Sequence, residues 1–168
     1  VQKGEIWEYK ISSSQKTYHM KTIDQWLSEY AGSHSNPVNK TVHRICVPLI
    51  FFTVVAFLYC VPLYTLSSGY QLTLAHAALL FVAGYYFMLS VPLAIGMVIY
   101  SAICIVLCGG IQSASHGYLG WIALAIFVTA WIFQFWGHSV EGKKPSFFKD
   151  IQFLMIGPAW VMRTTMGI

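Results

Sequence analysis

Residues 45–137 read ICVPLIFFTVVAFLYCVPLYTLSSGYQLTLAHAALLFVAGYYFMLSVPLAIGMVIYSAICIVLCGGIQSASHGYLGWIALAIFVTAWIFQFWG, 93 positions without one Asp, Glu, Lys or Arg. A helix on a water-soluble domain needs charge on its outer face, whereas a charged side chain at a bilayer centre costs about 2.5 to 3.5 kcal/mol. The interval is therefore built to face lipid. A hydrocarbon core of about 30 Å takes about 20 apolar residues per helix, so the interval predicts four spans joined by short turns. The strict alternation of a membrane barrel strand is absent from 47–58 and 119–133. With 168 residues, 57% of them hydrophobic and 10% charged, the chain holds one domain. The fold class is all-α, a polytopic membrane helical bundle.

Working outward, the four spans fall at about 44–66, 72–90, 92–108 and 118–136. Ser67-Ser68-Gly69 and Gly109-Gly110, the latter with Ser113 and Ser115, supply turns on one side; Ser90-Val91-Pro92 makes a tight corner on the other. Trp121 and Trp136 mark the two headgroup levels of the fourth span. Residues 20–168 form the membrane domain, and Met20 reads as the natural start. Residues 1–19 are polar, lack the apolar centre of a signal peptide, and read as an upstream extension without a role. After Met20, Thr22 and Gln25 form a capping box, and Ile23, Trp26, Leu27 and Tyr30 share a face. This pattern predicts an N-terminal amphipathic helix lying on the membrane surface. The tail beyond the fourth span is expected to be interfacial or re-entrant.

Lys21, Lys40 and Arg44 precede the first span, and Lys143, Lys144, Lys149 and Arg163 follow the last, while the connecting loops carry no Lys or Arg. An even number of spans puts both flanks on one side, and the positive-inside rule makes that side the cytoplasm. The expected location is the inner membrane of a bacterium or the endoplasmic reticulum of a eukaryote. The net charge of +4 serves topology and attraction to anionic lipid, with no basic aromatic groove for nucleic acid. Cys46, Cys60, Cys104 and Cys108 all fall in predicted spans and read as small apolar residues. Cys104 and Cys108 share a face but have no further partner for zinc.

Chemistry is concentrated at the charged face. Asn36 is placed to cap a helix that carries Pro37 at its first position, and Asn39 and His43 then lie one turn apart, with His34 in the preceding loop. After the fourth span, Gln134, His138 and Glu141 share a face at spacings of four and three. Any one of these histidines alone is more often a structural residue. Three of them at one surface, with Asn39 and Glu141 beside them, turn the balance towards a site. Imidazoles and a carboxylate from different helices are how bundles build non-haem Fe(II) centres with open positions. His76 and His116 sit near the opposite face and are expected to hydrogen-bond within the bundle or with each other. As intramembrane histidines they remain secondary candidates for metal.

His34-x-Asn36-Pro37-x-Asn39-x-x-x-His43 and Trp131-Ile132-Phe133-Gln134-Phe135-x-Gly137-His138, followed by Glu141, Lys144-Pro145 and Ile156-Gly157-Pro158, resemble the membrane 2-hydroxy fatty acid dioxygenases over about 20–168. That family was long a domain of unknown function, and its yeast member acts in fatty acid α-oxidation. The resemblance implies an Fe(II)-dependent enzyme using O2 to shorten a 2-hydroxy fatty acid by one carbon. It implies His34, His43 and His138 as metal ligands; Glu141 and Asn39, beside them at the same face, are the candidate catalytic residues. Lys143, Lys144 and Gln134 would meet the substrate, whose carboxylate and hydroxyl chelate the iron and whose tail lies among the spans, with a purely topological role the equal alternative for the two lysines. The partners are that substrate and membrane lipid, with a homo-oligomer left open. Because imidazole binds metal only when neutral, activity should fall at acidic pH, and a pH-independent rate would count against histidine ligation. Two rivals stand beside this reading. One is a non-enzymatic lipid-binding or assembly protein, distinguished by purifying without metal. The other is a metal-dependent lipid hydroxylase or hydrolase, distinguished by binding metal without consuming a 2-hydroxy acid. The closely repeated histidine boxes of membrane desaturases are missing.

Overall fold

The computed structural model describes Gln25, Ser28, residues 36–142 and residues 156–166. The chain forms α1 (Pro37–Tyr59), a hairpin of β1 (Pro62–Thr65) and β2 (Gln71–Thr73), then α2 (Leu74–Leu89), α3 (Val91–Ala114), α4 (Leu119–Val140) and α5 (Ile156–Met166). Among the described residues three helices, α1, α3 and α4, are long and apolar enough to cross a membrane; α2 is apolar but has 16 residues. The predicted all-α membrane bundle is what forms. Of the surface helix expected after Met20, only Gln25 and Ser28 fall among the described residues, and both are helical and exposed.

α1 is packed against α2, α3, α4 and α5, and among the described elements its interface with α4 is the most extensive. The two run antiparallel. A Cβ on Gly137, near the end of α4, would lie 2.6 Å from Asn39 Oδ1 at the start of α1; a Cβ on Gly120, near the start of α4, would lie 3.7 Å from Cys60 Sγ just beyond α1. α3 also runs against α1 with its early turns level with the first half of α1. The Tyr100 hydroxyl donates to the Pro48 carbonyl at 2.8 Å, and the Tyr100 ring lies 5.5 Å from that of Phe51. Pro48 offers no N–H to the helical ladder, and its carbonyl gains this donor from a neighbouring helix. Among the described residues α1 to α4 thus run back and forth through the bundle, and the start of α1 meets the end of α4 at one end.

The core between helices is filled by Phe51, Phe52, Val55, Tyr86, Met97 and Leu119, with small residues such as Ala56 and Ala123 allowing close approach. Many large apolar side chains point outward instead, including Phe81 at 80% and Met88 at 88% exposure. In water such a surface would be an aggregation hazard, but in a bilayer it is the lipid-facing wall.

Two predicted boundaries are corrected. The first span does not continue to Leu66: α1 stops at Tyr59 and 62–73 pairs as an antiparallel hairpin, with Pro62 opposite Thr73 and Thr65 opposite Gln71. Pro62 is the reason, because it disfavours helix for itself and for Val61 before it. The Ser67-Ser68-Gly69 turn is where the sequence put it, closed by the Gly69 N–H donating to the Leu66 carbonyl at 2.9 Å with Gly69 at φ +83°. It joins strands rather than helices. The third span does not end at Cys108 either, since α3 runs through Gly109-Gly110 to Ala114. Gly109 serves packing there: a Cβ on it would come within 3.3 Å of the Tyr59 hydroxyl. The turn falls instead at His116 and Gly117, which have φ of +52° and +96°. The Ser90 corner is as expected, with the Ser90 N–H donating to the Tyr86 carbonyl and the Ser90 carbonyl accepting from Ala94 N–H.

α5 has 11 residues, too few to span, and packs on α1 and α3. Ala159 and Trp160 are buried, and Met162 lies over Gly96 near the start of α3. This places α5 at the end where α1 begins, as an interfacial or re-entrant segment would be.

Candidate metal centre

Asn36 starts the site. Its side-chain oxygen accepts from the Val38 N–H at 2.8 Å and its backbone carbonyl from the Lys40 N–H at 3.0 Å, a helix N-cap with Pro37 directly after it. The first turns of α1 then carry Asn39 and His43 inward, at 0% and 2% exposure. From α4 come Gln134, Gly137 and His138, all buried. The rings of His43 and His138 meet edge to face, with centroids 4.9 Å apart and planes at 78°. Two imidazoles from different helices are thus held together inside the bundle.

Glu141 closes α4 as its C-cap and reaches the start of α1. One carboxylate oxygen accepts from the Asn36 backbone N–H at 3.4 Å, and the other accepts from Asn39 Nδ2. At the end of its own helix a carboxylate meets the negative pole of the dipole, but at the start of α1 it meets the positive pole and free N–H groups. The second environment, with two donors, outweighs the first. Glu141 therefore clamps the two helix ends together beside the histidine pair. The clamp orients Asn39: with its amide nitrogen on the carboxylate, its buried oxygen faces Gly137 and has no hydrogen-bond partner among the described residues. A buried oxygen acceptor one helical turn from His43 suits a donor group or a cation. Among the described residues no three His, Cys, Asp or Glu side chains converge on one point; the two imidazoles are the nitrogen donors that meet, with both Glu141 oxygens taken up by the clamp beside them.

The structure thus brings together Asn39, His43, Gln134, His138 and Glu141. His34, Lys143 and Lys144 lie outside the described residues. His76 and His116 are elsewhere. His76 sits in the first turn of α2, its ring 6.1 Å from that of Tyr59, and Tyr59 is sixteen residues, or about 24 Å, along α1 from His43. Nδ1 of His76 accepts from the Thr73 N–H at 3.1 Å, and Nε2 lies 2.8 Å from the Tyr70 hydroxyl. Both nitrogens are thus engaged in capping α2 and tying it to the hairpin. His116 is exposed in the α3–α4 turn, about 28 Å along α4 from His138. The part of the site that sequence reasoning missed is Gly137, whose missing side chain admits Asn39. A glycine directly before His138, in a helix otherwise rich in bulky residues, was its signal.

The sequence model of a family described as 2-hydroxy-palmitic acid dioxygenase Mpo1-like matches residues 20–168, and the chain belongs to that family. No curated protein and no solved structure matches it.

Proposed function

We propose that this member of the Mpo1-like family is an Fe(II)-dependent dioxygenase that shortens 2-hydroxy long-chain fatty acids by one carbon at the cytoplasmic face of its membrane. The observation that carries the proposal is the buried His43–His138 pair, donated by antiparallel helices at the charged end of the bundle. The family description supplies the class of substrate. The positive-inside rule, applied to Lys40 and Arg44, supplies the side.

In this mechanism His43 and His138, with His34, would hold the metal. When bound, Fe(II) supplies a centre at which the carboxylate and hydroxyl of a 2-hydroxy acid chelate and O2 is reduced. Asn39 and Glu141 keep α1 and α4 in register so that the two imidazoles stay convergent. Gln134, one turn from His138 and 5% exposed, offers an amide to the substrate's polar end. Lys143 and Lys144 attract its carboxylate to the membrane surface. The buried setting of the pair keeps bulk water from the reacting carbons. With the lost carbon leaving as CO2, RCH(OH)CO2H + O2 gives RCO2H + CO2 + H2O. The bond between C1 and C2 breaks, four electrons pass from substrate to O2, and no external reductant is required.

The test is anaerobic reconstitution with Fe(II), then addition of O2 and a 2-hydroxy long-chain fatty acid, with products read by mass spectrometry for wild type and His138→Ala. The expected result is an acid one carbon shorter, formed by wild type and lost in the variant. Iron bound with substrate returned unchanged would refute the reaction and leave the site; no iron bound would refute both, and a lipid-binding role would replace them.

A further inference from the structure

An apolar cavity of about 630 Å3 lies between α1 and α4, the two helices that carry the histidine pair. Its α1 wall runs from Thr41 and Val42 to Leu49, and its α4 wall from Trp136 back to Ala125. We infer that this groove holds the acyl tail of the substrate, taken in sideways from one leaflet, and that its deep end at Ala125 sets the chain length accepted. The inference rests on the reaction proposed above and names the part of the protein that positions the tail.

Continuity is the first argument. Val42 directly precedes His43, and Trp136 lies two residues before His138. Cys46 and Ala130, which line the groove, are buried in one packed cluster, Cys46 one turn beyond His43 and Ala130 two turns before His138. Neither imidazole lines the groove itself, so a chain in it ends beside the histidine pair, at Val42 and Trp136.

Chemistry is the second. Only two lining side chains carry hydroxyls, and both are satisfied within their own helices: Thr41 donates to the Pro37 carbonyl at 3.0 Å and Thr129 to the Ala125 carbonyl at 2.8 Å. Neither asks for a polar ligand, so the groove suits methylenes throughout.

Depth is the third. From Trp136 to Ala125 is eleven residues, about 16 Å of helix, and half of a hydrocarbon core of about 30 Å is about 15 Å. The groove thus spans one leaflet. A fatty acid already lying in that leaflet with its carboxylate at headgroup level presents C1 and C2 at the depth of His43 and His138. Ile45 and Phe133, at 59% and 51% exposure, leave the side open to lipid. Because lipid is as apolar as the groove, transfer into it gains little hydrophobic free energy. What the groove contributes is alignment.

Two readouts on iron-loaded, detergent-solubilised full-length protein test this. The first compares kcat/KM for a series of 2-hydroxy acids from ten to eighteen carbons in wild type, Ala125→Phe and Leu49→Ala. Ala125 is exposed, so its replacement does not disturb packed core. Ala125→Phe should lower the ratio of longest-chain to shortest-chain kcat/KM by roughly tenfold or more, and Leu49→Ala should not lower it. The second is photolabelling with a 2-hydroxy acid bearing a diazirine near its methyl end. Label should fall on Ala125 or Ile126 and be displaced by excess 2-hydroxy acid but not by phospholipid. An unchanged chain-length profile with label elsewhere, in protein that still turns over, would overturn the groove and leave the reaction. Label displaced equally by phospholipid would mean ordinary boundary lipid and would also overturn it. Displaceable label at Ala125 in protein that makes no shortened acid would overturn the reaction and uphold the groove as an acyl site.

Discussion

Replacing Gly137 by alanine tests the contact on which the candidate centre depends. The new Cβ would stand 2.6 Å from Asn39 Oδ1 and 3.3 Å from Val42 Cγ1, inside van der Waals contact on two sides. At Gly96 a similar 2.6 Å approach is to the terminal methyl of Met162, which can swing away. Asn39 cannot, because it is fully buried and its amide is held by Glu141. Either α1 and α4 separate or the clamp breaks, and overpacking of this kind costs about 1 to 3 kcal/mol. Alanine also improves helix propensity by about 0.5 to 1 kcal/mol, which blurs the effect of Gly137→Ala taken alone. Gly84→Ala and Gly110→Ala remove that ambiguity, since both glycines are helical and a Cβ on either would meet nothing within 4 Å. The propensity gain is common to all three, so the difference isolates the clash. At roughly 2 to 4 °C per kcal/mol for a chain of this size, Gly137→Ala should melt about 2 to 12 °C below the two controls in one detergent. Its iron affinity should fall too, because Asn39 lies one turn from His43. Equal melting of the three variants would refute the close approach and the site geometry built on it.

Glu141→Ala leaves the Asn39 amide buried without its acceptor and should destabilise the protein by about 1 to 3 kcal/mol, read by chemical denaturation; a neutral result would mean that the clamp does not hold α1 to α4. Chelation of bound metal should lower the melting temperature by the equivalent of about 2.7 kcal/mol when free metal had stood at a hundred times its Kd. His43→Ala should abolish that difference, and a full metal-dependent shift in the variant would place the metal elsewhere. His76→Ala removes the acceptor for Thr73 N–H at the start of α2 and should cost about 0.5 to 2 kcal/mol while leaving iron stoichiometry unchanged; loss of iron would return His76 to the ligand set.

Much of the architecture is legible in the sequence because lipid imposes one overriding rule. The absence of charge from 45–137 fixes the membrane environment, and the absence of alternation makes the spans helices. Helical periodicity likewise relates Asn39 to His43 and Gln134 to His138 and Glu141, so each half of the site is readable on its own helix. The pairing of the halves is a long-range property. Asn39 and Glu141 are 102 residues apart, and nothing local shows that a carboxylate ending one helix will seat on the start of another. The two corrected boundaries have opposite physical causes. Leu63, Tyr64 and Leu66 are apolar enough to extend a span, but Pro62 had already ended it. Gly109-Gly110 read as a turn because glycine breaks helices in water, whereas in lipid the intrahelical hydrogen bonds have no competitor and glycine is a packing surface.

The unequal lengths of the helices also matter for the membrane around them. At 1.5 Å per residue α1, α3 and α4 measure about 33 to 36 Å, while α2, with 16 residues, measures about 24 Å against a hydrocarbon core of about 30 Å. The hairpin before α2 exposes Tyr64 and Tyr70, side chains that favour the headgroup layer. On that flank the bilayer must thin or the hairpin must be drawn inward, at a fraction of a kcal/mol for each ångström of mismatch. The bundle is therefore asymmetric in the thickness it prefers. In vesicles of increasing acyl length its stability should decline first at α2 and the hairpin, and in a cell the same asymmetry favours thinner membranes over thicker ones.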